Sequence, residues 1–246
     1  MPLKASPDDQ AQLLQVQSID TLLQQLDHRA KTLPELATLV TLTSEASALR
    51  HELLSANGAL EDAQLELSRI EADVTVVENR IARDTERMQS TSSVKDVAGF
   101  EAELAGLRRR QLELEELELG VMERVEALEA AAAQARAGFD EAQAKIASVE
   151  AERDAALGSL AGERTHAAAN RSTIASKLPA DLLALYERQR ERYGFGASLL
   201  RGGVSSASGV RLNENDMAVI RSAAPDDVLM CPDSNAILVR TNESGI

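Results

Sequence analysis

The sequence predicts a mainly α-helical protein: a long antiparallel coiled-coil hairpin followed by a small C-terminal α+β module. Three observations carry this. An apolar repeat stepping alternately by three and four residues runs through two long segments. One short polar break separates them. Aromatic residues make up only 2% of a 246-residue chain that has no Trp, whereas a compact domain of this length usually uses more aromatic side chains to fill its core, since each carries the largest apolar area. A composition dominated by Ala, Leu, Glu, Gln and Arg is that of long helices.

The first helix is announced by Ser6 as N-cap, Pro7 in the first turn, and Asp8 and Asp9 against the helix dipole. It carries Leu13, Val16, Ile19, Leu22, Leu23 and Leu26 and stops near Lys31–Pro34. This apolar stripe is expected to pack against the base of the hairpin. Pro34 then opens the next helix.

From Leu39 the repeat becomes regular: Leu39, Leu42, Ala46, Leu49, Leu53, Ala56, Leu60, Ala63, Leu67, Ile70, Val74, Val77, Ile81, Asp84, Met88. Only Asp84 breaks the apolar series, and Gly58 is the one weak point along it. Sustained over about seven heptads, such a 3-4 pattern is a coiled-coil seam. Residues 89–96, Gln-Ser-Thr-Ser-Ser-Val-Lys-Asp, favour local side-chain to backbone hydrogen bonds and read as the turn. The repeat restarts at Val97 and runs through Phe100, Leu104, Leu107, Leu114, Val121, Val125 and Leu128 to Leu160, with Gln111, Glu118 and Arg153 as its polar members. Two such segments joined by a short turn fold back on each other, each arm on the order of 75 Å long at 1.5 Å per residue. Alanines between Ala130 and Ala137 let the helices approach closely. Arg108, Arg109 and Arg110 lie among glutamates and are expected to pair across the hairpin.

Beyond Leu160 the helix is expected to loosen through Gly162 and Asn170, placing the hairpin in residues 1–177 and the module in 178–246. A helix starts at Leu178-Pro179-Ala180-Asp181 and ends at Tyr193-Gly194-Phe195-Gly196. Gly202, Gly203 and Gly209 mark turns. Residues 213–221 form a short helix, and Val228-Leu229-Met230 and Ile237-Leu238-Val239 form strands around the Pro232–Asn235 turn. At roughly sixty-five residues this module is near the lower size limit for independent stability.

The hairpin, the segment Leu178–Arg188, the run Ile220–Asp227 and the ending Cys231–Arg240 together resemble the bacterial C4-type zinc-ribbon coiled-coil proteins, over nearly the whole chain. That family places one CxxC pair after the tail helix and another before the last strand. Mapped here, the four ligand positions are Ala207, Val210, Cys231 and Ser234. A structural zinc needs four thiolate or imidazole ligands, and the chain has a single cysteine. The resemblance therefore implies a degenerate ribbon without zinc, in which Ala207 and Val210 fill the vacated volume beside Leu229, Ile237 and Val239. It further implies adaptor roles: some relatives contact flagellar or type III secretion components or an alternative sigma factor, and one is connected with messenger RNA.

No phosphate-binding loop, dinucleotide fingerprint, nucleophile elbow or HExxH is present. His28, His51 and His166 are scattered along helices, and the adjacent carboxylates Glu115/Glu116 and Asp226/Asp227 read as surface charge. Cys231 has no histidine nearby in sequence to lower its pKa. No catalytic residue, cofactor or metal is expected. A net charge of −14 repels phosphate backbones. One local exception is the arginine group Arg188, Arg190, Arg192, Arg201 and Arg211, near Tyr193 and Phe195. It could take RNA by stacking and phosphate contact, although pairing with Glu187, Glu191 and Asp226 is the preferred reading. The opening residues Met1–Asp9 lack an apolar leader, no run approaches the roughly twenty apolar residues of a membrane span, and one cysteine fits a reducing compartment. The expectation is a cytoplasmic, non-enzymatic scaffold for a protein partner, its oligomeric state open, with RNA binding as the alternative.

Overall fold

The computed structural model describes residues 3–246, so Met1 and Pro2, part of the opening stretch read above, lie outside the described residues. The elements are α1 (Pro7–Lys31), α2 (Pro34–Ser90), α3 (Val94–Ala175), α4 (Ala180–Tyr193), β1 (Ala197–Arg201), β2 (Val204–Ser205), α5 (Glu214–Ser222), β3 (Leu229–Met230) and β4 (Ile237–Val239). They form two compact units, one of residues 35–152 and the other of residues 1–34 with 153–246. The packing boundary differs from the sequence-based division after residue 177, because α1 and the last part of α3 pack with the tail.

The unit of residues 35–152 is the helical hairpin. Each residue of the α2 series from Leu39 to Met88 is buried or half-buried, and so is each α3 member cited above, while their neighbours on the helix are almost all exposed. Ala46, Leu53 and Ala63 on α2, with Leu104, Leu114, Val121, Ala132 and Ala142 on α3, are the most deeply buried apolar members. Ion pairs Arg80–Glu103 and Arg124–Glu66 tie the arms together, and their descending and ascending numbers fix the antiparallel register. Among the described residues the expected cross-hairpin pairing of Arg108–Arg110 is not formed. Arg110 reaches Glu113 on its own helix at 3.4 Å, one turn away where side chains naturally meet.

The turn is tighter than the eight-residue polar stretch, comprising only Thr91–Ser93. Ser93 accepts the Asp96 N–H on its hydroxyl at 3.4 Å and the Val97 N–H on its carbonyl at 3.0 Å, so it serves as N-cap of α3. Asp84, the misfit of the series, occupies its seam position all the same. It is 5% exposed, and its Oδ2 has no hydrogen-bond partner among the described residues. Arg80 Nε and Arg87 Nη1 stand 3.8 Å from its carboxylate oxygens.

In the other unit, α1 follows its reading closely: the Ser6 hydroxyl accepts the Asp9 N–H at 3.1 Å, and the helix ends at Lys31. The expected loosening after Leu160 does not occur, since α3 continues unbroken to Ala175. Tertiary contacts override the weak propensity of Gly162 and Asn170: Leu160, Ala167 and Ala175 are buried, and Arg164 pairs with Asp27 at 2.9 Å.

The sheet has the order β2-β1-β4-β3, with β1 and β4 parallel and both outer pairs antiparallel. The β1–β2 hairpin was not read from the sequence beyond its turn glycines. It closes at Gly202 (φ 55°) and Gly203 (φ 81°), a two-glycine link suited to a tight hairpin. One core cluster joins Leu13 and Val16 of α1 to Leu182 and Tyr186 of α4 and to Ala197, Ile237 and Val239. The stripe on α1 is thus divided: Leu13 and Val16 pack into the tail module, while Leu26 lies beside Leu157 and Leu160 of α3, as the expected packing on the hairpin base requires. A second cluster, of Leu200, Leu212, Met217, Ile220, Cys231 and Leu238, lies on the opposite side of the sheet.

The N-terminal segment covers the β3 end: Ala5 N–H donates to Asp226 O (2.9 Å) and Val228 N–H to Leu3 O (3.1 Å). No helix among the described residues is long and apolar enough to cross a membrane.

Candidate functional site

Two six-residue loops in the tail have the same hydrogen-bond pattern. In one, Ser205 N–H donates to Val210 O (3.1 Å), Gly209 N–H to Ser205 O (2.8 Å) and Val210 N–H to Ser208 Oγ (3.2 Å). In the other, Cys231 N–H donates to Ala236 O (2.8 Å), Asn235 N–H to Cys231 O (2.9 Å) and Ala236 N–H to Ser234 Oγ (3.4 Å). The fifth residue of each has positive φ, Gly209 at 68° and Asn235 at 55°, a conformation glycine and asparagine tolerate best. Ser205 is therefore the counterpart of Cys231, and Ser208 of Ser234. The sequence-based mapping placed this pair at Ala207 and Val210. Hydrogen bonding moves it, and Val210, 51% exposed, fills no internal volume.

The two loops meet through their first residues. Cys231 Sγ lies 3.3 Å from Ser205 Oγ, which is 2.7 Å from Ser198 Oγ. Ser198 Oγ in turn accepts the Ala207 N–H at 3.0 Å. Cys231, Ser198 and Ser205 are fully buried. Burial pushes the Cys231 thiol up, but hydrogen bonding with the Ser205 and Ser234 side chains and with the backbone of Ser234 and Asp233 outweighs it, leaving the thiol below its ordinary value.

As a donor set, one thiol and three hydroxyls at Ser205, Ser208, Cys231 and Ser234 do not fit a tetrahedral zinc, because serine is a poor ligand at neutral pH. The Ser205 hydroxyl is moreover already occupied by internal hydrogen bonds. Among the described residues no group of three or more His, Cys, Asp or Glu side chains is placed to hold a metal.

The five candidate arginines do not act as one group. Arg190 binds Glu187 (2.9 Å) and approaches Asp20 (3.5 Å), and Arg201 binds Glu243 (3.1 Å). Arg192 lies over the Tyr193 ring, 5.2 Å from its centroid. Arg188, Arg192 and Arg211 are exposed, the first two on α4 and the third next to β2. The expected pairing is thus met by Glu187, whereas Asp226 is held by Lys4 at 3.0 Å.

Arg190 belongs to a polar cluster that the sequence reading missed. Buried Asp20 of α1 accepts the Tyr186 hydroxyl at 2.7 Å and both arms of Arg171 at 2.6 and 2.9 Å, and Arg171 also reaches Glu187 at 2.6 Å. Burial and the bond to Asp20 push the Tyr186 hydroxyl well above its ordinary range, so it stays protonated as donor. Gln17 Oε1 accepts the Gly196 N–H at 2.8 Å. Only glycine fits there, since a Cβ at Gly196 would lie 2.4 Å from the Tyr186 ring. A polar Asp20 on an apolar helix stripe was the available signal.

Arg240 was also missed. Its Nη atoms donate to the carbonyls of Ala223 (3.0 Å), Ala224 (2.6 Å) and Asp227 (3.0 Å), holding the loop between α5 and β3. In both clusters the polar groups satisfy one another, as buried groups must. None is left aimed at a substrate.

Comparison with known proteins follows this architecture. Residues 16–194 match the family described as CT398-like coiled coil hairpin domain. An uncharacterized protein of Mycobacterium tuberculosis, Rv2229c, is 32% identical over 239 residues, covering 97% of this chain and 98% of that protein. A solved structure from Mycobacterium smegmatis superposes with a TM-score of 0.86 at 34% identity, covering 97% of this chain and all of that one. The structure of CT398 from Chlamydia trachomatis shares the fold, with a TM-score of 0.62 at 14% identity over 95% of this chain and 98% of that one.

Proposed function

This chain belongs to the CT398-like coiled coil hairpin domain family, and on that premise we propose that it is a non-enzymatic, cytoplasmic scaffold for protein partners whose tail module holds its fold without zinc. The observation that carries the reading is the placement of large apolar side chains outside the seam. Val40, Leu54, Leu65 and Val76 on α2 and Leu112, Leu119 and Met122 on α3 are all exposed. Scattered apolar residues are ordinary on a protein surface, but contiguous apolar surface rimmed by charge is a common mark of a protein contact, and Leu119 and Met122 beside Leu67 and the glutamates Glu123, Glu126 and Glu129 supply one. The internal satisfaction of the Asp20 and Arg240 clusters supports a structural role for them. The RNA alternative is left with Arg188, Arg192 and Arg211, since carboxylates hold the other two.

The test is affinity capture with the full-length tagged protein from its native lysate, with and without ribonuclease. The scaffold reading expects the same protein partners to be recovered after ribonuclease treatment and after substitution Arg188→Glu, Arg192→Glu and Arg211→Glu. Recovery of RNA alone, abolished by those substitutions, would replace it with the nucleic-acid reading, and recovery of nothing above background would leave it without support.

A further inference from the structure

Resting on the scaffold reading, and naming a surface and partner chemistry for it, we infer that the middle of α3 docks a basic amphipathic helix. Leu112, Leu119 and Met122 are separated by seven and three residues, so they lie along one side of the helix. Leu119 is 62% and Met122 48% exposed. With Leu67 of α2, Leu119 and Met122 line an apolar groove of about 350 Å³. Val125 and the glutamates Glu123, Glu126 and Glu129 line it as well.

Charge identifies the occupant. Six glutamates between Glu115 and Glu129 (Glu115, Glu116, Glu118, Glu123, Glu126 and Glu129) have no ion pair among the described residues, whereas Arg124, the one cation of that stretch, is committed to Glu66 of the other arm. Carboxylates crowded along one helical stretch repel one another, and a cationic partner would relieve this while its apolar residues covered Leu119 and Met122. A helix with Leu-like anchors every three or four residues and Lys or Arg at its margins matches both features. An acidic or purely polar segment matches neither.

The direct experiment is fluorescence anisotropy with the full-length protein and a labelled synthetic helix built of Leu and Lys, alongside a Gln/Lys peptide of equal length and charge. The expected result is saturable binding of the Leu/Lys helix, weakened roughly tenfold or more by Leu119→Glu with Met122→Glu and by Glu123→Gln, Glu126→Gln and Glu129→Gln. Because the groove residues changed are exposed, the seam remains intact. Leu119→Ala with Met122→Ala provides a milder form should the glutamates perturb folding, and circular dichroism of each variant reports the helix content.

A control set away from the groove, Glu45→Gln, Glu86→Gln and Glu101→Gln, removes the same charge and is expected to change binding less than about twofold. The inference is overturned if the Leu/Lys helix does not bind, if the Gln/Lys peptide binds equally well, or if the control set weakens binding as much as the groove set. Any of these would remove this surface while leaving the scaffold reading to the capture experiment.

Discussion

Asp84 shows how a single misfit can be read at the residue scale. Its position in the 3-4 series demands an apolar side chain, and the structure puts the carboxylate there regardless, with one oxygen lacking a hydrogen-bond donor. A buried acceptor left unsatisfied costs about 1–3 kcal/mol, and the two arginines at 3.8 Å are themselves solvated and offset only part of that. Asp84→Leu is therefore expected to stabilise the hairpin by about 1–3 kcal/mol, read as a higher urea midpoint in far-ultraviolet circular dichroism. A lower midpoint would mean that Arg80 and Arg87 depend on this carboxylate more than their distances indicate. Asp20 is the opposite case. It is equally buried, but the Tyr186 hydroxyl and Arg171 fill its hydrogen-bonding capacity, so it organises its surroundings rather than straining them.

At the scale of elements, legibility followed the range of the determining interaction. The seam could be read because each of its positions is set by the helical period and the partner arm repeats the same rule. The start of α1 was legible for a similar reason, since a capping side chain acts within three residues, Ser6 on Asp9; α5 was read as a helix from residue 213, and the structure shows that Asn213 is its cap, accepting the Asp216 N–H at 2.9 Å. The continuation of α3 past Leu160 was not legible, because it depends on α1, more than a hundred residues earlier, through Arg164–Asp27 and Arg171–Asp20.

The β1–β2 hairpin was missed for another reason. Its strands are five and two residues long, too short to show an alternating pattern, and the Gly-Gly pair was the one strong local sign. The loop mapping failed similarly: residue spacing alone could not choose between Ala207/Val210 and Ser205/Ser208, and backbone hydrogen bonds decide it. If α3 is a continuous helix here, Gly162→Ala should stabilise by about 0.5–1 kcal/mol, since a Cβ there meets nothing within 4 Å. Thermal melts of the two proteins check it. An unchanged or lowered melting temperature would favour a frayed segment.

On the scale of the whole molecule, two units meet different stability problems. The hairpin unit has a repeated seam, and its outer surface is free to carry charge and apolar anchors. The tail module is small, and a module of this size ordinarily leans on a metal or disulfides. Here α1 and the end of α3 enlarge its core, Leu13 and Val16 packing against Tyr186 and Ile237, and the N-terminal segment pairs beside β3. The Arg240 guanidinium and the Cys231–Ser205–Ser198 contacts then hold the loops. On the function proposed above, packing and these hydrogen bonds hold the tail without a metal.

The measurement that tests that claim most directly is metal content by elemental analysis of the purified full-length protein, paired with its thermal unfolding in the presence and absence of a chelator. Substoichiometric zinc and superimposable melting curves are the predicted result. One zinc per chain, with a transition that the chelator lowers, would contradict it and show that Cys231 and its serine neighbours coordinate a metal after all.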